Sequence, residues 1–199
     1  LIMKRSLWLV LLVVTLLAGL AYAENTNLAL NKNYVYNIEP HQNYPDDGGE
    51  LTDGQYANPN YADVRFHAHL REDFRIVIID LEDVYKIDLV TANFLNQEGV
   101  GSYVPTLYSL ATSTDGKRWR ILDYQEFFED EMPQEGTYLK KIEFETSGEK
   151  ARFVALKFNV DVWVFMDEME VLGDPASKEA APKGYDLEEI DFEEIDFDF

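Results

Sequence analysis

The sequence predicts an all-β sandwich or jelly roll, and three observations carry that prediction. β-Branched and aromatic residues gather in short runs, several runs alternate apolar and polar residues with a period of two, and Gly-containing turn pairs stand between them. Between residues 24 and 173 there is no convincing long helical pattern. The first strong element is the β-branched run Phe74-Arg75-Ile76-Val77-Ile78-Ile79-Asp80-Leu81. Strands are then expected at Lys86 to Leu95, Thr106 to Thr114, Arg118 to Tyr124, Tyr138 to Thr146, Ala151 to Val160 and Val162 to Leu172. In Lys141-Ile142-Glu143-Phe144-Glu145 and Arg152-Phe153-Val154-Ala155-Leu156-Lys157-Phe158 the alternation implies one buried and one solvated face. Asp115-Gly116, Glu135-Gly136 and Ser147-Gly148 read as the turns between strands.

Segments of different character flank this domain. Lys4 and Arg5, an apolar run from Leu7 to Leu20 and the small-x-small sequence Ala21-Tyr22-Ala23 are the three parts of a secretory signal peptide, so residues 1–23 are expected to be removed by cleavage after Ala23. The run is shorter than the ~20 apolar residues a spanning helix needs. The domain then occupies residues 24–173. From Asp174 to Phe199 the chain holds 10 acidic and 2 basic residues and repeats the unit Glu-Glu-Ile-Asp-Phe twice. Such charge density predicts a self-repelling, disordered acidic tail over residues 174–199, either a solubiliser or a peptide that docks on a partner.

The 199 residues carry 17 Lys plus Arg against 38 Asp plus Glu, a formal net charge of −21, with no cysteine. A nucleic-acid or anionic-membrane binder needs clustered Lys and Arg, which this chain does not offer. Without cysteine there is no disulfide framework, Cys-ligated metal or thiol nucleophile. Gly-x-Ser-x-Gly, phosphate-loop and His-Glu-x-x-His patterns are also missing, and an abundance of acids does not by itself make a glycosidase pair, so the chain is read as a non-enzyme.

Several segments resemble one family. Asn27-Leu28-Ala29-Leu30-Asn31-Lys32 and Glu50-Leu51-Thr52-Asp53-Gly54 resemble the opening of discoidin-like domains, also called coagulation-factor type-C or galactose-binding-like domains. Phe74 to Leu81, the hairpin from Tyr108 to Trp119, Ala151 to Leu156 and Asp167 to Gly173 resemble that family's later strands, in the right order. The resemblance implies an eight-stranded jelly-roll β-sandwich with ligand-binding loops at one end. It is similar to secreted bacterial carbohydrate-binding modules, which implies a secreted, periplasmic or cell-surface protein with a carbohydrate partner such as an extracellular glycan. Trp119 falls where the family buries a hairpin tryptophan, and Trp163 is also expected in the core.

Site residues follow from the resemblance and from chemistry. Family members that bind sugar hold a structural calcium ion between an Asp-Gly loop and the closing strand. The matching positions here are Asp53 and Glu168, with main-chain oxygens of Glu50, Gln55 and Asp167, and a hard cation taking 6–8 oxygen ligands suits that set. The alternative is that Asp53 only caps its turn and Glu168 forms an ion pair. Asp46 and Asp47, beside Gly48 and Gly49, read as an ordinary solvated turn. Sugar recognition needs planar polar groups that bridge hydroxyls and a ring for the apolar pyranose face. Arg65, His67, Arg71, Asn96, Gln97, Tyr103 and Tyr61 supply those types in the loops where the family places its ligand. His67 and His69 alternatively form an exposed His-x-His strand edge. The other function class is an exported protein-binding adaptor or scaffold whose tail docks a partner.

Overall fold

The computed structural model describes residues 25–71, 74–128, 130–182 and 185–197; the expected signal peptide, residues 1–23, lies outside the described residues. Two long antiparallel strands organise everything else. β4 (Phe74–Gln97) and β7 (Thr137–Asn159) pair along their whole length, from Phe74↔Asn159 to Gln97↔Thr137. Each bends midway, so each belongs to two layers. β4 breaks register between Asp80 and Tyr85, where Glu82 has φ 71° and its N–H donates to Asp80 Oδ1 at 2.7 Å. β7 bends at Ser147 (φ 52°) and Gly148 (φ 78°).

The front sheet runs β2 (Tyr34–Tyr36), the first part of β4, the second part of β7, β5 (Leu107–Ser113) and β6 (Arg120–Glu126). In the back sheet, β8 (Trp163–Glu179) lies between the later part of β4 and two short strands, β1 (Thr26–Asn27) and β3 (His67–Leu70). Alternation sends one set of side chains between the layers: Val77, Ile79, Leu156 and Phe158 from the front meet Val90, Phe94, Phe144, Met169 and Val171 from the back. This is the sandwich that the sequence predicts.

One predicted turn and one predicted strand break are corrected. Ser147-Gly148 does not end a strand, and the runs at Phe74 to Leu81 and Lys86 to Leu95 are not separate strands. Positive φ inserts a bend while the β4–β7 ladder continues past it, because both flanking segments still find antiparallel partners.

The tail is corrected as well. Residues 174–179 extend β8, with Asp174 opposite Lys86 and Glu179 opposite Val84. Beyond them, Ile190, Ile195 and Phe197 are buried on the outer face of the front sheet against Ile76, Ile78, Ala111, Phe153 and Ala155, flanked by Leu187 and Phe192. Disorder was expected from net charge. Within the repeats, however, every large apolar residue faces the sheet while Glu188, Glu189, Asp191, Glu193 and Glu194 remain in water, so burial does not bring the acids together.

Candidate functional site

The loop end of the back sheet brings four of the seven expected ligand residues onto one edge. β8 begins at Trp163, which pairs with Leu70 of β3, and this places Arg71 beside Val162, whose carbonyl accepts the Arg71 N–H at 2.9 Å. Ser102 bridges Gln97 on one side and Trp163 on the other, and the Tyr103 N–H donates to the Trp163 carbonyl at 2.9 Å. Gln97 Oε1 in turn accepts the Tyr61 N–H at 2.9 Å. Tyr61, Gln97, Tyr103 and Arg71 are thereby tied to one framework, with each side chain at least partly exposed.

Aromatic rings floor this edge. Tyr44 packs edge-on to Trp163 (5.6 Å between centroids), Phe165 (4.7 Å) and Tyr61 (6.4 Å), and His41 stands edge-on to Trp163 at 5.0 Å. Beside them opens a groove of about 300 Å³ lined by Asn43, Tyr44, Tyr61, Phe66, Asp47 and Glu50, among others. Trp163, expected in the core, is only partly buried and packs at the margin of the Phe165 cluster. Sequence reasoning missed Tyr44 and the exposed side of Trp163, because only the β3–β8 pairing brings residues 41–44 and 163 together.

Three expected ligand residues serve the fold instead. His67 is fully buried, its Nε2 sharing a hydrogen bond with the Tyr36 hydroxyl at 2.9 Å; His69 is fully buried beside it against Tyr36 and Phe158. Neither an exposed His-x-His edge nor a sugar contact at His67 survives, because β3 is paired to β8 and turns both imidazoles inward. Asn96 is also fully buried, and its Nδ2 donates to the carbonyls of Gln134 (3.1 Å) and Gly136 (3.0 Å), so it holds the turn before β7. Arg65 clamps Asp63 through Nε and Nη2, both at 2.8 Å, and reaches the Tyr56 carbonyl with Nη1 at 2.9 Å. It thereby holds Asp63, which lines the groove, with its own side chain still 38% exposed.

Asp46 is corrected too. Its side chain is only 2% exposed and accepts from the hydroxyls of Tyr34 (2.6 Å) and Tyr36 (2.9 Å) and from the N–H of Gly48 (2.9 Å). Burial opposes its charge, but hydrogen bonds from Glu50 and Tyr34 and the nearby His67 hold the carboxyl well below the usual range. The same Asp46–Glu50 hydrogen bond raises Glu50.

The proposed cation position centres on a bulge. Ala92 faces Met169 and Phe94 faces Met166, so β8 accommodates an extra residue there, and the bulge carries Asp167 and Glu168. Glu168 is 1% exposed; Oε2 accepts the Gly54 N–H at 2.9 Å, while Oε1 is buried with no protein partner among the described residues. Burial, reinforced by the charges of Asp53, Glu170 and Asp167, pushes its carboxyl up to about 8. Asp53 caps its own turn, Oδ1 accepting the Gln55 N–H at 2.7 Å and Oδ2 the Gln55 side-chain amide at 2.8 Å. The Asp167 carboxylate is occupied by the Ala57 N–H (2.6 Å) and Asn93 Nδ2 (2.8 Å). Among the described residues no three His, Asp or Glu side chains form a metal-holding group, so a cation here would rest on Glu168, Asp53 and main-chain oxygen.

Comparison with known proteins agrees with this architecture. No family model matches the sequence, and no curated protein sequence does. Among solved structures, the chain is similar to the lectin binding domain of Lectinolysin complexed with Lewis b, at TM-score 0.55 and 16% identity over 76% of this chain and 98% of that one. It is similar to a Streptococcus pneumoniae fucose binding module at TM-score 0.53 and 16% identity, covering 75% and 96%. Chitosan-binding module 1 from a Paenibacillus sp. IK-5 chitosanase/glucanase gives TM-score 0.52 and 17% identity, covering 74% and 99%. The fold is discoidin-like. In this discoidin-like fold the described residues include no helix long and apolar enough to cross a membrane.

Proposed function

We propose that this protein is a secreted, non-catalytic carbohydrate-binding module carrying a structural calcium ion. The observation that carries the reading is the loop edge where Tyr61, Gln97, Tyr103 and Arg71 are tied to the framework that holds the Trp163–Tyr44 ring pair, beside a groove of about 300 Å³. Rings there suit the apolar face of a pyranose, and the guanidinium and amide suit adjacent hydroxyls. Solved structures of the same fold whose names describe fucose, chitosan and Lewis b binding support it, as does the leader-like sequence of residues 1–23. The test is a glycan array followed by titration calorimetry on residues 24–199. Saturable binding of a defined glycan, weakened at least ~10-fold by Tyr61→Ala or Arg71→Ala (about 1.4 kcal/mol), is expected. Failure of every glycan to bind overturns the reading.

Calcium would be held by Glu168 and Asp53 with main-chain oxygens of Glu50, Gln55 and Asp167. The partnerless Oε1 of Glu168 supports it, because a bound cation would supply the interaction this buried atom lacks. Such an ion would tie the Asp53 loop to β8 and stabilise only the folded state. Glu168→Ala or Asp53→Ala is therefore expected to lower the melting temperature clearly more in calcium than in chelator, where only the hydrogen bonds to Gly54 and Gln55 are lost. Equal losses in both buffers overturn the assignment.

A further inference from the structure

The tail and the surface beneath it form a ligand and a receptor within one chain. Each Glu-Glu-Ile-Asp-Phe repeat follows an Asp that begins a single 3₁₀ turn: Asp186 before Leu187–Glu189 and Asp191 before Phe192–Glu194. Each turn delivers its following Ile, 190 or 195, to the same apolar floor. Around that floor the body presents cations. Lys117 Nζ lies 4.2 Å from the Tyr185 ring centroid, Lys157 Nζ lies 5.3 Å from that of Phe197, and Asp186 contributes to holding the Arg152 guanidinium charged. An acidic, apolar strap therefore lies on a greasy floor with a basic rim: the two units supply Ile190, Ile195 and Phe197 to the floor, and Tyr185 and Asp186 just before them meet two of the cations.

Among the described residues, none of the strap pairs with a strand of the sheet. The hydrogen bonds of residues 189, 190, 194 and 195 close inside their own turns. With no strand ladder to unzip, a segment docked chiefly by its buried side chains opens more easily than the strands below it. Beside Phe197 the surface continues as an open groove of about 480 Å³ lined by Phe74, Tyr124 and Lys157, which gives an incoming strap a first foothold.

We infer that the outer face of the front sheet is a docking site for the Glu-Glu-Ile-Asp-Phe unit, filled in cis by the chain's own tail and able to take the tail of a second copy. The tether from Glu179 to Tyr185 decides between the two, because it carries the chain from β8 of the back sheet to the front face. Shortening such a connection favours exchange between molecules.

The test compares the wild-type chain, expected to be monomeric at low micromolar concentration, with a full-length variant lacking residues 180–184, using light scattering. The deletion is expected to give a dimer that an excess of peptide 185–197 converts to monomer. The same peptide with Ile190→Asp and Ile195→Asp should leave the dimer intact. A deletion variant that stays monomeric, or assemblies that the wild-type peptide does not dissolve, overturn the inference. Because a deletion can disturb folding, a second arm places a protease site in the tether and cuts it after the wild-type fold has formed. Labelled peptide 185–197 should bind the cut body at least tenfold tighter than the double-Asp peptide, and equal binding also overturns the inference.

Discussion

Asp80 and Arg152 show how one pair of side chains sets a bend. Arg152 Nε and Nη2 hold the two Asp80 oxygens at 2.8 and 2.7 Å, and Asp80 Oδ1 also takes the N–H of Glu82, the residue that turns β4 out of the front sheet. The side chains are 13% and 11% exposed, so each charge is largely cut off from water and depends on the other. Asp80→Asn takes away the guanidinium's main counter-charge and leaves only the more distant Asp186 and Asp83, and the expected loss is about 3 kcal/mol in urea unfolding. The sequence signalled this position as part of a strand resembling a family strand, but not its partner 72 residues away. Asp46 has the same lesson in reverse. Beside Gly48 and Gly49 it read as a solvated turn, and only the fold brings the Tyr34 and Tyr36 hydroxyls over it.

At the scale of elements, the strands were legible because period-two alternation reports which face is buried, as in Arg152 to Phe158. The joins between strands were less legible. Ser147-Gly148 has turn chemistry, and positive φ serves a bulge as well as a hairpin, so the local sequence does not distinguish them. The tail was misread because net charge averages over residues that the repeat segregates. Ile190→Asp with Ile195→Asp is expected to detach the strap, at a cost of about 1–2 kcal/mol in thermal unfolding, since a released strap recovers its conformational freedom. Amides of residues 186–197 should then exchange with solvent at unprotected rates, while those of β4 and β7 keep their protection.

For the whole molecule, a buried polar cluster links the two layers. His67 faces Tyr36 of the front sheet, His69 beside it and the Asp46 carboxylate, with Arg75 acting on the charge of His69. Burial lowers the His67 pKa to about 4, with Asp46 acting in the opposite direction. The unfolded chain, with an ordinary histidine near 6.5, therefore takes up the proton first as pH falls. The contribution of His67 is complete above about pH 6.5 and is lost progressively towards pH 4, by up to roughly 3 kcal/mol. His67→Gln should flatten the pH dependence of urea midpoints across that window relative to the wild type, and parallel curves would rule the effect out. By itself the sequence determined the all-β class, the positions of the strands from Phe74 onward, the absence of thiol chemistry and the closing acids of β8, because alternation and residue type are local properties. Tertiary structure alone decided that His67 and Asn96 are interior, that Tyr44 and Trp163 share the loop edge, and that the acidic tail is a strap. Those outcomes depend on which strand lies beside which, and pairings such as β3 with β8, about 100 residues apart, are fixed by the shared core rather than by any local signal.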